Sequence, residues 1–209
     1  MDVKARRFSN ALLLSAFAVL VAGYFVVAAA TTGRVVFVPE LTLDRAVSFQ
    51  PAWTPVYLSM WIFSLLPVIF VRGVELRRRT ILSYLATVIT AYIVFLLYPT
   101  VAPRPADVPG DGLMAWSLRT LYAIDPPYNC FPSLHVAYAF LAALSTFRVR
   151  RGLGIAALIW AVVIAVSTLF IKQHYAADVV AGTLLAVVAH VICLRGIPTP
   201  GGSRSSTTI

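Results

Sequence analysis

Charge is what this chain lacks. Only 12% of its 209 residues are Asp, Glu, Lys or Arg, while 60% are hydrophobic. Soluble domains carry about 25% charged residues, so a water-facing surface of ordinary polarity cannot be assembled here. With a mean hydropathy of +0.86, an ordinary soluble enzyme, a disordered chain and a coiled coil are all excluded. Cysteine is scarce as well: Cys130 and Cys193 are too few for a disulfide framework or a thiolate zinc site. The fold class that remains is an all-α polytopic membrane protein.

Apolar runs supply its spans. About 20 apolar residues cross a bilayer core roughly 30 Å thick, and six segments approach that length: 11–30, 53–71, 80–97, 133–147, 152–171 and 175–194. They predict six transmembrane helices in one catalytic domain over 1–194, followed by a disordered tail over 195–209 rich in Gly, Ser, Thr and Pro. Ala28-Ala29-Ala30 resembles a signal-peptide cleavage site, but the first run exceeds the usual 7–15 or so residues of such a signal, which favours an uncleaved helix. Residues 35–52 read as a short helix lying in the interface. Residues 99–132 form a long proline-rich connection of a functional or disordered kind.

The net charge of +9 would suggest nucleic acid in a soluble protein. Here the cations sit in short segments between apolar runs, so lipid headgroups and topology account for them and no nucleic-acid partner is expected. Lys4, Arg6, Arg7, Arg72, Arg77–Arg79, Arg148, Arg150, Arg151, Arg195 and Arg204 fall on one side; only Arg34, Arg45, Arg104, Arg119 and Lys172 fall on the other. The positive-inside rule places both termini in the cytoplasm and the loops at 35–52 and 99–132 outside, in a multi-pass cell-membrane protein. Cys130 and Cys193 then lie on opposite faces.

Chemistry concentrates at the outer ends of the helices. His135 and His174 stand there, and Asp178 follows His174 by four positions, one helical turn on. An ionisable group inside a span is costly and points to a site with a partner nearby. A carboxylate that accepts one imidazole N–H fixes the tautomer and leaves the other nitrogen as a nucleophile; His135, from another helix, suits a general acid and then a base. Ser133 opens the fourth helix as its cap or as a donor to a phosphate oxygen, since a helix N-terminus favours anions. That helix is short, so its start should be recessed, a depth suited to a lipid headgroup. Two histidines and a carboxylate also make a metal donor set, although without an evident further ligand. His190 reads as structural, Tyr98, Tyr128, Tyr175 and Trp53 as an aromatic belt, and Gly182 as a close helix contact.

Pro132-Ser133-Leu134-His135 with His174-Tyr175-Ala176-Ala177-Asp178 resembles the second and third motifs of the type 2 phosphatidic acid phosphatase (PAP2) superfamily. The form is most similar to the branch of inositol phosphorylceramide synthases, as is the segment Leu43–Pro51; the likeness extends over about Leu43–Gly182. The resemblance implies phosphoryl transfer through a phosphohistidine, with His174 as nucleophile, Asp178 orienting it, His135 protonating the leaving oxygen, and no metal or cofactor. Of the first motif Arg104-Pro105 remains, but Leu97 holds its lysine position and Thr168 the arginine position of the third motif. Arg104, Ser133 and Lys172 are the residues left to bind phosphate.

The expected activity is hydrolysis of a lipid phosphomonoester or diphosphate at the outer leaflet. One alternative is transfer of a phospho-headgroup to a ceramide- or diacylglycerol-like alcohol. Another class, a transporter or silent membrane subunit, stays open, although no paired broken helices suggest it. The expected partners are the membrane and a lipid substrate; self-association into a homo-oligomer is left open.

Overall fold

A computed structural model describes residues 3–196, all helical apart from turns and two isolated bridges. The tail expected to be disordered lies outside the described residues after Gly196. The helices are α1 (Val3–Thr31), α2 (Thr42–Ala46), α3 (Thr54–Phe63), α4 (Leu66–Phe70), α5 (Val74–Leu97), α6 (Leu113–Ile124), α7 (Leu134–Val149), α8 (Arg151–Phe170) and α9 (Ala176–Leu194). Among the described residues, five segments are long and apolar enough to cross a membrane: Leu14–Thr31, Pro51–Phe70, Val74–Leu97, Arg151–Phe170 and Ala176–Leu194. The sixth expected span, α7, is apolar but has only 16 residues, about 24 Å at 1.5 Å per residue. Length and composition alone therefore support five spans.

Two expected spans differ in form. The run at 53–71 is not one helix: a 3₁₀ turn over Pro51–Trp53 leads into α3, which stops at Phe63 before α4 begins. Pro67 lacks the N–H that would continue the ladder back to Phe63, which accounts for the break. In contrast, α5 starts six residues before Thr80. Glu75 sits in its first turn and accepts from Arg79 Nε at 2.9 Å, an i,i+4 pair that carries the helix beyond the apolar run. Apolarity marks where a span can lie; it does not mark where a helix begins.

The bundle is organised around α7, which packs against α8 and α9, while α5 packs against α1 and α9. Ala137, Ala139, Ala142 and Ala143 on α7 are fully buried, and such small side chains let helix backbones approach closely where lipid offers no hydrophobic driving force. Gly182 goes further. A Cβ there would meet the Ser133 carbonyl oxygen at 2.4 Å, so α9 presses directly on the start of α7. The outward faces carry Val180, Leu184, Val187, Val188 and Val191 on α9, and Ile155, Ile159 and Val162 on α8, all exposed. Apolar surface of this extent suits a hydrocarbon solvent.

The segments at 35–52 and 99–132 are folded against the bundle. Phe37 N–H donates to the Pro99 carbonyl at 2.8 Å, and the Phe37 ring stacks on Tyr98 at 4.2 Å. The buried Thr100 hydroxyl oxygen accepts from the N–H groups of Cys130 and Phe131 at 3.1 and 3.0 Å. The proline-rich connection contains α6, whose Ala115 and Leu118 are buried with Tyr57 and Ile171. The expected interfacial helix at 35–52 is present as α2, only five residues long. Its Asp44 is buried, and Oδ1 accepts from Ala176 N–H at 2.7 Å. So α2 is fastened to the first turn of α9.

Candidate active site

The α8–α9 connection, residues 171–175, carries His174. The Thr168 carbonyl accepts from the N–H groups of Gln173 and His174 at 2.9 and 3.4 Å, and Lys172 takes φ 54° to make the turn. His174 therefore precedes α9 and does not share a helical face with Asp178, as its spacing had suggested. Asp178 is the third residue of α9 and reaches back over the helix start: Oδ2 accepts from Tyr175 N–H at 2.9 Å and stands 3.3 Å from His174 Nδ1. This is a capping role, since helix first-turn N–H groups need acceptors. The same carboxylate that ends the connection orients the imidazole. Both residues are buried.

His135 enters from the first turn of α7. Its Nδ1 lies 3.3 Å from His174 Nε2, and its Nε2 lies 2.7 Å from the Tyr57 hydroxyl. The edge of Trp61 closes over the ring at 5.9 Å. The three residues expected to carry chemistry are thus brought together in the order Asp178, His174, His135. Ser133 takes the capping alternative: its Oγ accepts from Val136 N–H at 3.3 Å, while its own N–H donates to the Asp178 carbonyl at 3.1 Å.

Arg104 and Lys172, the cations expected to bind phosphate, are hydrogen-bonded within the protein. Arg104 donates through Nε to Gln173 Oε1 at 2.7 Å and through Nη1 to the Tyr122 and Asp125 carbonyls at 3.2 and 2.8 Å. Its Nη2 pairs with Asp125 Oδ2 at 3.5 Å, and its guanidinium lies 4.5 Å over the Tyr122 ring. Lys172 Nζ donates to the Asp44 and Val47 carbonyls at 3.0 and 2.6 Å. Arg104 thus locks the proline-rich connection to the residue before His174, and Lys172 locks the α2 segment to the same turn. Leu97 is 76% exposed at the edge of the bundle, and Thr168 is buried with its hydroxyl on the Ala165 carbonyl.

Four residues escaped the sequence reading. Gln173 Nε2 donates to Asp125 Oδ2 at 2.9 Å, and Tyr24 on α1 donates to Asp125 Oδ1 at 2.9 Å. Burial pushes the Asp125 carboxyl above its usual range, against the lowering effect of the Tyr24 hydrogen bond and the Arg104 charge. Tyr57 is fully buried. It was hidden in an apolar run where aromatics are ordinary, and Asp125 looked like one more outer-loop acid. Gln173 adjoins His174, which was the one available signal. Among the described residues, no group of three His, Cys, Asp or Glu side chains is placed to share a metal ion.

Beside His135 lies an apolar cavity of about 430 Å³, walled by Tyr24, Leu58, Trp61, Trp116 and Leu121. A second, of about 320 Å³, shares Val21, Trp61 and Tyr138 with it and reaches Arg77. Both lie against α1.

A family model described as the PAP2 superfamily matches residues 52–192. Over 136 residues the sequence is 27% identical to a PA-phosphatase related-family protein of Dictyostelium discoideum, a stretch covering 60% of this chain and 24% of that protein. The chain thus spans about a quarter of the length of that curated relative. No solved structure matches it significantly.

Proposed function

The chain belongs to the PAP2 superfamily, and on that premise we propose that it is a membrane phosphatase that hydrolyses a lipid phosphomonoester or diphosphate at the outer leaflet. One observation carries the reading: His174 Nε2 faces His135 Nδ1 at 3.3 Å, with a carboxylate behind the first ring and an apolar cavity beside the second. Asp178 accepts the proton on His174 Nδ1, which leaves the Nε2 lone pair directed toward the site. A phosphoryl group entering between the two rings is attacked by Nε2. As the N–P bond forms, the P–O bond to the lipid breaks, and the leaving oxygen takes the proton from His135. Water then attacks the phosphohistidine; His135 accepts its proton, the N–P bond breaks, and inorganic phosphate leaves.

With Arg104 and Lys172 engaged in locks, the remaining donors near a phosphate are the first-turn N–H groups of α7, where the helix dipole also favours an anion. The cavity between α1, α3 and α6 suits an acyl or prenyl chain and not a polar alcohol. The two adjoining cavities also give the transferase reading a basis, because a second lipid alcohol would have an apolar place to lie. The phosphatase is preferred for needing fewer parts, water being the acceptor.

The test is purified protein with a panel of lipid monophosphates and diphosphates, following inorganic phosphate and new lipid species together. Phosphate release supports the phosphatase. Formation of a new phospholipid from an added lipid alcohol, with no phosphate released from any substrate, overturns it in favour of the transferase.

A further inference from the structure

Resting on the hydrolytic reading, we infer that Gln173 and Tyr57 are positioning residues that hold His135 as its Nδ1–H tautomer. The inference comes from donor and acceptor bookkeeping along one chain of contacts. Arg104 can only donate, and its Nε donates to Gln173 at 2.7 Å, so the atom it meets is the amide oxygen. Asp125 Oδ2 accepts from the other side of the amide at 2.9 Å, which fixes the Gln173 orientation independently. The Gln173 amide nitrogen, with a second hydrogen to place, then donates to the Tyr57 hydroxyl oxygen at 3.5 Å. Tyr57 must spend its own hydrogen elsewhere, and the acceptor 2.7 Å away is His135 Nε2.

With Nε2 accepting, a neutral His135 carries its proton on Nδ1, facing His174 Nε2 at 3.3 Å. The far end agrees. Asp178, a carboxylate, accepts from His174 Nδ1 at 3.3 Å, so His174 Nε2 is bare and accepts from His135. Every link donates in one direction, from the guanidinium of Arg104 to the carboxylate of Asp178. Such chains polarise their members cooperatively in a dry interior. The consequence is chemical. Of the two His135 nitrogens, only Nδ1 faces the nucleophile, so the proton for the leaving oxygen is kept on the side where the phosphoryl group must enter; as Nδ1 gives it up, the Tyr57 hydroxyl proton passes to Nε2 across 2.7 Å, His135 stays neutral, and both transfers reverse when Nδ1 takes the proton of the attacking water.

The two residues differ in what they contribute. Tyr57 is fully buried within α3 and touches the acid directly, whereas Gln173 acts through it. Gln173 also ties the acid to the Arg104–Asp125 lock, which joins tautomer choice to the docking of the proline-rich connection.

Protein labelled with ¹⁵N-histidine in lipid nanodiscs at neutral pH reads the protonation of each ring nitrogen, with the three histidines assigned by single substitutions. The expected spectrum has His135 and His174 both protonated at Nδ1; a His135 protonated at Nε2 overturns the inference. Tyr57→Phe keeps the ring and removes only the donor. It should mix the His135 tautomers and lower kcat on a lipid phosphate by about 10–100-fold at unchanged KM, with a smaller loss on an aryl phosphate whose leaving group needs no proton. Gln173→Glu can only accept from Tyr57, so the Tyr57 hydroxyl turns to it and His135 should switch to Nε2–H. Unchanged tautomers in both variants would refute the relay, and either variant suffices if the other fails to fold. The spectra require no turnover. An inactive protein with Nδ1–H His135 would keep the relay and remove the phosphatase reading, whereas an active one with Nε2–H would do the reverse.

Discussion

Gly182→Ala tests whether helix packing sets the spacing of the catalytic pair. A Cβ at this position falls 2.4 Å from the Ser133 carbonyl oxygen, 3.2 Å from its carbon and 3.3 Å from Ser133 Cβ. An ordinary C···O contact is about 3.4 Å, so α9 and the start of α7 must separate by about 1 Å. The Ser133 N–H to Asp178 carbonyl hydrogen bond, now 3.1 Å, lies at the same crossing and would be stretched past its limit. His135 is two residues along the displaced turn, so its 3.3 Å approach to His174 opens to about 4 Å. Overpacking of this kind costs about 1–3 kcal/mol. Alanine is the better helix former by about 0.8–1 kcal/mol, which offsets part of that.

The expected result is a Tm lowered by a few degrees, at roughly 2–4 °C per kcal/mol for a chain of this size. With it kcat falls by about 10–100-fold, because a 1 Å misplacement of reacting groups can cost about 10². Gly154→Ala is the matched control: its Cβ would meet Phe147 Cα at 2.1 Å, at the opposite end of α7 from His135. It should lower Tm at least as much and leave kcat near wild type. Thermal melts in detergent and initial rates of phosphate release measure both. A Gly182→Ala protein that melts lower yet turns over at the wild-type rate would refute the reasoning, as would an equal loss of kcat in Gly154→Ala.

Further outcomes follow from the same geometry. His174→Ala should abolish turnover, while His135→Ala should lose about 10²–10⁴-fold on a lipid phosphate and less on a substrate with a good leaving group; wild-type rates in His174→Ala would end the proposed mechanism. A cysteine placed at Asp111 should react with an impermeant thiol reagent in intact cells and one at Arg78 should not, the reverse labelling overturning the sidedness. Lys172→Met should lower stability by about 1.5–3 kcal/mol through its lost charged hydrogen bonds without raising KM, and a large KM increase would return Lys172 to the phosphate. Because burial raises the Asp125 carboxyl, its contribution is greatest below the unfolded aspartate value and declines as pH rises through the folded one. The Tm of Asp125→Asn should therefore gain on wild type as pH rises above the unfolded aspartate value of about 4, a constant difference counting against the buried charge.

Much of the architecture was legible because a bilayer imposes a one-dimensional rule. Long apolar runs must be helices, since no water satisfies their backbone groups; the runs at 152–171 and 175–194 correspond to α8 and α9 within one residue, and the run at 11–30 lies inside α1, which begins eight residues earlier at Val3. The catalytic candidates were legible for the same reason: Asp178 and two histidines at the ends of spans are expensive unless they have partners. What apolarity cannot encode is where a helix breaks or begins, so the gap between α3 and α4 and the early start of α5 came from Pro67 and from the Glu75–Arg79 pair.

The contacts of the polar residues were decided in three dimensions. Spacing placed Asp178 one turn from His174, motif position made Arg104 a phosphate ligand, and nearness to His174 suggested Lys172 as another; none of these says which acceptors lie closer. Asp125 and the Gln173 oxygen take Arg104, and the carbonyls of Asp44 and Val47 take Lys172, partners separated from them by as many as 128 positions. Tyr57 and Gln173 looked like any aromatic and any amide until folding set one hydroxyl 2.7 Å from His135. A buried donor must find an acceptor wherever the fold supplies one. Composition and periodicity therefore determined that this chain is a helical membrane protein and which residues were costly enough to matter, and only tertiary contact decided which of them face one another.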